Sequence, residues 1–184
     1  MTTLPPLDTA DLRRALGRFG TGVTIVSTLD AQGAPVGVTA NSFSSVSLEP
    51  PIVLWSLRRA SPSLAAFDAT GRFVINVLAL EQVELSRRFA SPVADKFAGV
   101  AHTPGLGGLP VVDGSAAVFQ CRTEQRLEVG DHILFLGLVE AYGHQVGPTL
   151  LYCQGQYAQG VNLETPPART PAPAKTEPCA AVPS

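Results

Sequence analysis

The segment that decides how the chain folds is Gly37-Val38-Thr39-Ala40-Asn41-Ser42-Phe43-Ser44-Ser45-Val46-Ser47-Leu48. It begins with the pattern of a β-strand and then fills with hydroxyl and amide side chains. A core strand would instead alternate bulky apolar residues with polar ones. Buried polar groups are costly unless each finds a hydrogen-bond partner. Local turn backbone, solvent or a polar ligand along the strand end could supply these partners, and the segment alone leaves that choice open.

Strands are predicted on both sides of this segment. Val23 to Thr28 is rich in β-branched residues, and Asp30-Ala31-Gln32-Gly33 has the composition of a turn. The strand that begins near Pro35 therefore completes a hairpin and runs into the hydroxyl-rich segment. After the stop at Glu49-Pro50-Pro51, the apolar run Ile52 to Leu57 predicts a strand buried on both faces.

Short helices are predicted around these strands. Asp8 or Thr9 can cap the first helix, whose apolar face is made of Leu12, Leu16 and Phe19. Another helix is predicted from Glu81 to Ala90, after a strand from Arg72 to Leu78.

The residues between these elements suit either an anion site at a helix start or an ordinary capped helix, and the local sequence leaves both open. Ser61 suits an N-cap and Pro62 suits the first helical position. Free backbone N–H groups, a hydroxyl and the nearby Arg58-Arg59 pair would then face the same space.

The C-terminal half is again mostly β. Ser91 to Pro110 is rich in Gly and Pro and is expected to be an irregular loop of the functional or mobile kind. Two long strands, Ala116 to Leu127 and His132 to Tyr142, are predicted to pair around a turn, and a short strand follows at Leu150 to Cys153. About seven strands with helices on the rim predict a mainly β, barrel-like fold with short peripheral α-helices.

One domain is expected over residues 1–160, followed by a Pro- and Ala-rich disordered tail over residues 161–184. The chain of 184 residues is 45% hydrophobic, with a formal net charge of −2 and only dispersed arginine pairs. These features argue against nucleic acid as a partner. No apolar run would span a bilayer, and the N-terminus lacks a secretory pattern, so the cytoplasm is the expected location. The cysteines and histidines show no metal-ligand spacing, and no metal is expected.

Four parts of the chain together resemble the flavin reductase-like family. They are Thr21 to Thr28, Gly37 to Pro51, Ser86 to Ala90 and the turn Gly130-Asp131-His132. The family comprises short-chain NAD(P)H:flavin oxidoreductases that serve as reductase components of two-component flavin-dependent monooxygenases. The likeness extends from about Asp11 to Tyr157.

The resemblance implies an FMN-binding split β-barrel and a homodimer with composite flavin sites. FMN or FAD would be reduced by NADH or NADPH, and a separate oxygenase would be a transient partner that receives the reduced flavin. Flavin chemistry would perform the hydride transfer, while the protein supplies binding and orientation.

The resemblance also implies specific site residues. The flavin ring edge would lie beside Val38, Thr39, Ala40 and Asn41. The ring, ribityl chain or phosphate would be contacted by Ser42, Ser44 and Ser45. A second flavin loop would contain Ala60 and Ser61. The segment closing over the flavin would contain Arg88, Phe89 and Ala90. His132 would line the nicotinamide site as the catalytic candidate, and Tyr157 would lie near the ring.

Two other functions remain open on sequence grounds. The first is a pyridoxamine phosphate oxidase-like enzyme on a similar barrel, which is disfavoured because no Arg and Lys cluster suits a second phosphate. The second is a non-catalytic protein that binds flavin without an NADH step.

Overall fold

The fold is built mainly from antiparallel strands. The computed structural model describes residues 7–161. The strands among them are β1 (Thr21–Gly22), β2 (Thr24–Leu29), β3 (Pro35–Ala40), β4 (Ser44–Leu48), β5 (Pro51–Arg58), β6 (Arg72–Val77), β7 (His102–Pro104), β8 (Pro110–Val112), β9 (Ala117–Val129), β10 (His132–His144), β11 (Leu150–Cys153) and β12 (Gln156–Gln159). The α-helices are α1 (Thr9–Leu16), α2 (Leu64–Thr70) and α3 (Val83–Ala90), and short 3₁₀ turns occur at Leu80–Gln82 and Leu106–Gly108.

Seven strands form one sheet in the order β3-β2-β6-β9-β10-β5-β4. Strands β3 and β4 are at opposite ends of this order, yet only residues 41–43 connect them. In that connection Ser42 hydrogen-bonds to Ser56 of β5. The sheet therefore curves until its ends approach, without pairing of β3 to β4. The predicted mainly β, split-barrel fold with peripheral helices is confirmed.

Aromatic side chains fill the inside of the curved sheet. The ring of Trp55 stacks on Phe135 at 4.9 Å and meets Phe67 and Phe73 edge-on at 4.9 and 5.7 Å. None of the four is more than 1% exposed. Such rings bury roughly 150–250 Å² each, so this cluster is a major source of the hydrophobic stability of the barrel.

A second core lies between the sheet and α3. Phe89 of α3 packs edge-on against Phe97 at 4.9 Å, and both join Ile25 and Leu78 in one buried cluster. This packing fixes the C-terminal end of α3 against the sheet. That end borders the cavity described below.

The prediction of an irregular segment over residues 91–110 was partly wrong. Its second half starts a small hairpin, in which β7 pairs with β8. The hairpin is tied to the sheet because the amide of Val112 donates to Asn76 Oδ1 at 2.9 Å, and Ser27 Oγ donates to the carbonyl of Pro110 at 2.6 Å. Strands of three residues are too short to show a periodic sequence pattern.

Strand β5 differs from its prediction as well. Val53, Trp55 and Leu57 are buried, but the alternate residues are only half-buried, so the strand has one core face instead of two. Burial alternates along the first half of strand β10, with Ile133 and Phe135 on its buried face.

Two helix predictions need correction. Asp8 caps α1 as predicted, its Oδ1 accepting from the amide of Ala10 at 2.8 Å. However, no residue of α1 is buried, and Leu16 is 67% exposed. The second helix begins at Leu64 with Ser63 as its N-cap residue, so the predicted N-cap at Ser61 was wrong. No helix within residues 7–161 is long and apolar enough to cross a membrane.

Candidate functional site

A cavity of about 550 Å³ opens where the ends of the curved sheet approach each other. Its walls come from the end of β3, the end of β5, the loop before α2, and the C-terminal end of α3. The residues predicted from the sequence that line it are Val38, Thr39, Ala40, Asn41, Ser42, Ala60, Ser61, Phe89, Ala90 and His132. Segments far apart in the chain are thus brought to one site.

The β3 wall presents backbone as well as side chains. Strand β3 is an edge strand that pairs only with β2 in the sheet, and an edge strand leaves a row of N–H and C=O groups unpaired. Its residue Thr39 uses its hydroxyl within the protein, donating to the carbonyl of Ser86 in α3 at 2.7 Å. The unpaired backbone groups of β3 are therefore the polar groups that remain for a ligand.

Close packing holds α3 against β3. A Cβ built on Gly37 would lie 2.6 Å from Cε1 of Phe89, a distance that real Cβ atoms essentially never show. Glycine is required here because the Phe89 ring occupies the space of a side chain. This close packing places Phe89 and Ala90, at the end of α3, in the lining of the cavity.

The hydroxyl-rich segment divides at Ser42. Ser42 Oγ accepts from the amide of Ser56 at 2.9 Å and donates to the carbonyl of Ser56 at 3.2 Å. Ser44 and Ser45 lie beyond it, in the exposed strand β4, and do not line the cavity. The cavity wall therefore ends at Ser42.

Another wall of the cavity is formed by the end of β5 and the loop that follows it. Arg58, Ala60, Ser61 and Pro62 line the cavity there. Ser61 Oγ accepts from the amide of Ser63 at 3.3 Å, so its hydroxyl supports the turn before α2. Because α2 begins only at Leu64, its free amides do not start at Ser61 as predicted.

His132 is the first residue of β10 and pairs with Arg58 and Val129 in the neighbouring strands. Its Nδ1 lies 2.7 Å from Asp131 Oδ1. The hydrogen bond from His132, and then its charge, lower the pKa of Asp131 below its usual range. An ionised carboxylate only accepts, so Nδ1 carries the proton, and Nε2 is the ring nitrogen left for a ligand.

Arg88 and Tyr157 lie outside the main cavity lining. The Arg88 guanidinium donates to the carbonyls of Lys96 at 2.8 Å and Asp95 at 3.2 Å, so it holds the loop after α3. Tyr157 lines a neighbouring cavity of about 190 Å³, where its hydroxyl is hydrogen-bonded to Ser86 Oγ at 2.9 Å. The two cavities share residues Thr39, Asn41 and Ala90.

Sequence reasoning missed Lys96. This side chain lines the main cavity, and its Nζ donates to the carbonyl of Phe89 at 2.8 Å. Burial lowers its pKa. The signal was present, because Lys96 is one of only two lysines in the chain, but the residue lay in a segment predicted to be irregular.

The charged residues of the lining all have the same sign. Arg58 and Lys96 are cationic, and no Asp or Glu lines the cavity. Its volume is in the usual range for small-molecule sites, roughly 300–1,000 Å³. The site thus suits an anionic ligand of nucleotide size. No group of three His, Cys, Asp or Glu residues that could hold a metal ion occurs within residues 7–161.

The split sheet with this cavity at its opening defines a split β-barrel of the flavin-binding class. The chain belongs to the flavin reductase-like family, because the flavin reductase like domain matches residues 16–160.

Relatives support the family assignment. A Rhizobium meliloti protein named "Probable flavin reductase" is 43% identical over 155 residues, which cover 84% of this chain and 50% of that protein. The chain thus spans about half the length of that relative. The reductase subunit HsaB of a flavin-dependent monooxygenase from Mycobacterium tuberculosis is 38% identical over 165 residues, covering 88% of each chain.

A solved structure shares the fold. The NADH:FAD oxidoreductase SgcE6 of Streptomyces globisporus C-1027, in complex with NAD and FAD fragments, superposes with a TM-score of 0.78 at 33% identity. The match covers 91% of this chain and 99% of that one.

Proposed function

We propose that this chain is an NAD(P)H:flavin oxidoreductase that reduces FMN or FAD and supplies the reduced flavin to a separate flavin-dependent oxygenase. The observation that carries the proposal is the convergence of ten of the fourteen residues predicted from the sequence on one cavity whose lining lacks carboxylates. The names of relatives support it, since HsaB is a monooxygenase reductase subunit and SgcE6 is an NADH:FAD oxidoreductase.

The cavity residues fit a flavin. A flavin held by these residues would supply the redox chemistry, namely uptake of a hydride from a reduced nicotinamide. The free edge of β3 at Val38 to Asn41 can hydrogen-bond a flat heterocycle through backbone groups. Phe89 and Ala90 supply apolar contact, and Ala60 and Ser61 bound the opposite side.

Positive charge in the lining favours flavin reduction. Hydride transfer adds negative charge to the flavin ring, and cations placed beforehand stabilise charge that develops in a reaction. Arg58 provides such charge, while the absence of Asp and Glu from the lining avoids repulsion. The chain therefore needs no paired carboxylates for this reaction.

His132 is proposed to orient the nicotinamide. Asp131 holds Nδ1, so the other ring nitrogen, Nε2, is available to a ligand amide or carbonyl in the cavity. A residue in this position positions the donor carbon and excludes water without having to transfer a proton itself.

The assembly is proposed to be a homodimer whose contact with the oxygenase is transient, acting in the cytoplasm. Large apolar side chains left exposed in the single chain support self-association, because an interface would remove them from water. They include Leu16 and Phe19 near α1 and Leu48 of β4, which are 67, 77 and 89% exposed. Sedimentation equilibrium tests this point, and a monomer at micromolar concentration would contradict it.

The catalytic domain is proposed to be residues 1–160. The proposed disordered tail lies outside the described residues except for Val161, which is exposed.

The decisive experiment for the activity is a direct assay, without a coupling enzyme, of NADH and NADPH oxidation with FMN and with FAD. We expect turnover that depends on added flavin, followed through the loss of nicotinamide absorbance. No oxidation of either nucleotide with either flavin would overturn the proposal. Flavin that co-purifies but is not bleached by NADH would instead indicate a non-catalytic binding protein.

A further inference from the structure

Lys96 lies in the loop after α3 and lines the main cavity, which is also lined by Arg58 of β5 and His132 of β10. Its side chain is partly buried, and its hydrogen bond within residues 7–161 goes to the neutral carbonyl of Phe89, at 2.8 Å. Taking an ammonium group out of water is costly unless an opposite charge compensates it.

No carboxylate of residues 7–161 forms an ion pair with Lys96. The adjacent Asp95 is turned to local backbone, since its Oδ1 accepts from the amides of Phe97 and Ala98 at 3.1 and 3.0 Å. Arg58 differs, because its charge helps to lower the pKa of the nearby Asp131. Neither cation forms an ion pair within residues 7–161, and Lys96 is the less exposed of the two.

The position of Lys96 is fixed before any ligand binds. Arg88 donates to the carbonyls of both Lys96 and Asp95, and the next residue, Phe97, is only 4% exposed in the core against Phe89. A cation held in this way loses little conformational entropy when an anion arrives, and preorganisation of this kind increases affinity.

We propose that Lys96 binds a phosphoryl group of the nucleotide that occupies the main cavity. This inference rests on the proposed flavin reductase function and assigns a residue to its binding site. An ammonium group is a compact point charge with several donors, which suits phosphate oxygens. The phosphoryl group comes from one of two sources, the flavin nucleotide or the nicotinamide nucleotide, and the experiment separates them.

The test compares ligands with and without phosphate. FMN and riboflavin share the ring and ribityl chain and differ in the phosphate, and NADH and dihydronicotinamide riboside differ likewise in the phosphate-bearing part. Dissociation constants for the flavins and KM values for the donors are measured in the unaltered chain, Lys96→Met and Lys96→Arg. Hydrogen bonds to charged groups typically contribute about 1.5–3 kcal/mol, so Lys96→Met should weaken the phosphorylated ligand by roughly 10- to 100-fold.

For the phosphate-free ligand of the same pair, the dissociation constant or KM should change by less than about threefold. Lys96→Arg should retain much of the preference for the phosphorylated ligand. Arg14→Gln is the matched control for loss of one positive charge, because Arg14 is an exposed α1 residue outside the cavity lining, paired with Asp11. This variant should leave unchanged both the ratio of the dissociation constants of FMN and riboflavin and the ratio of the KM values of NADH and its riboside.

The outcomes are distinct. A selective loss for FMN over riboflavin assigns the contact to the flavin, and a selective loss for NADH over its riboside assigns it to the nicotinamide nucleotide; either supports the proposal. Equal losses within each pair, or none, overturn it and leave Lys96 a structural residue. If the unaltered chain reduces no flavin with NADH or NADPH, the proposed function itself fails, which is a different result.

Chemical protection provides a measurement that needs no variant. An amine-acylating reagent followed by peptide mapping reports on Lys96, with Lys175 as the reference for reagent consumption in the same sample. We expect one phosphorylated ligand to slow modification of Lys96 while its phosphate-free counterpart at equal occupancy does not. Equal protection by both members of each pair would contradict the proposal.

Discussion

The two halves of the hydroxyl-rich segment have similar compositions but different environments. Val38 to Ser42 lines the cavity, and two of its hydroxyls are bonded to the protein, from Thr39 to α3 and from Ser42 to β5. Ser44 to Leu48 forms the sheet's other edge strand, where the serines at 44 and 45 are exposed.

The difference teaches that hydroxyl content does not by itself mark ligand contact. In the first half, the hydroxyls mainly hold β3 in place beside α3 and β5, which leaves the free backbone edge for a ligand. In the second half, the hydroxyls of Ser44 and Ser47 are bonded only to nearby backbone, at Ser45 and Glu49. The two halves differ because the first lines the cavity where the ends of the sheet approach each other and the second does not. The following predictions test that distinction.

The largest effect is expected at Gly37, where β3 meets α3. Gly37→Ala places a Cβ into the Phe89 ring, and overpacking of this kind typically costs about 1–3 kcal/mol. Because Phe89 also lines the cavity, flavin binding should weaken by roughly tenfold, or about 1.4 kcal/mol. Urea unfolding and flavin titration measure the two effects.

Gly143→Ala is the matched control in β10. A Cβ there meets nothing within 4 Å, so its unfolding free energy should stay within about 0.5 kcal/mol. If both variants behave alike, the close contact between β3 and α3 is not what maintains the cavity.

The next effect is the loss of the hydrogen bonds between Ser42 and Ser56. Ser42→Ala removes both, leaving a partly buried amide and carbonyl of Ser56 with one partner fewer, which should cost about 1–3 kcal/mol of stability. Flavin affinity should fall with it. Ser45→Ala, in the exposed half, should change stability by less than about 0.5 kcal/mol and leave flavin binding unaltered. A loss of flavin binding in Ser45→Ala would extend the site into β4.

A third prediction concerns His132, which lines the cavity at the start of β10. His132→Ala should raise KM for NADH by about tenfold while the flavin dissociation constant changes by less than about threefold, because His132 is assigned to the nicotinamide side. Steady-state kinetics with each substrate varied, together with flavin titration, separate the two. Equal losses in NADH use and in flavin binding would show that His132 only stabilises the start of β10.

The smallest effect concerns the exposed Asp131–His132 pair. Its hydrogen bond lowers the pKa of Asp131 below the ordinary value of 3.8, so the charged form is favoured in the folded chain. The stabilising contribution is full above pH 3.8 and is lost as the pH falls through the lower folded pKa. Unfolding of the chain and of Asp131→Asn, measured across acid pH, should show a small difference that disappears only in that range. A difference that vanishes well above pH 3.8 would contradict this assignment.

Much of the site was predictable because its residues belong to short, distinctive segments. Those around Val38, at Ala60, at the end of α3 and at His132 were assigned through the resemblance to the flavin reductase-like family, and one cavity brings them together. The start of α2 was misplaced since Ser61 and Ser63 are both plausible caps, and only the backbone geometry distinguishes them. Lys96 was missed because a loop without periodicity gives no indication of which side chain points inward.

The sequence by itself determined the strand-rich fold, since β-branched runs, turns and the composition of Gly37 to Leu48 are local signals of secondary structure. It also carried the motifs that place the chain in the flavin reductase-like family. Only the tertiary structure decided which of the hydroxyl residues line the cavity, and that Lys96 and Arg58 line it together. The physical reason is that these relations depend on the curvature of the sheet and on packing between residues distant in sequence. Neither the alternation of side chains nor the spacing of motifs encodes them in a form that can be read locally.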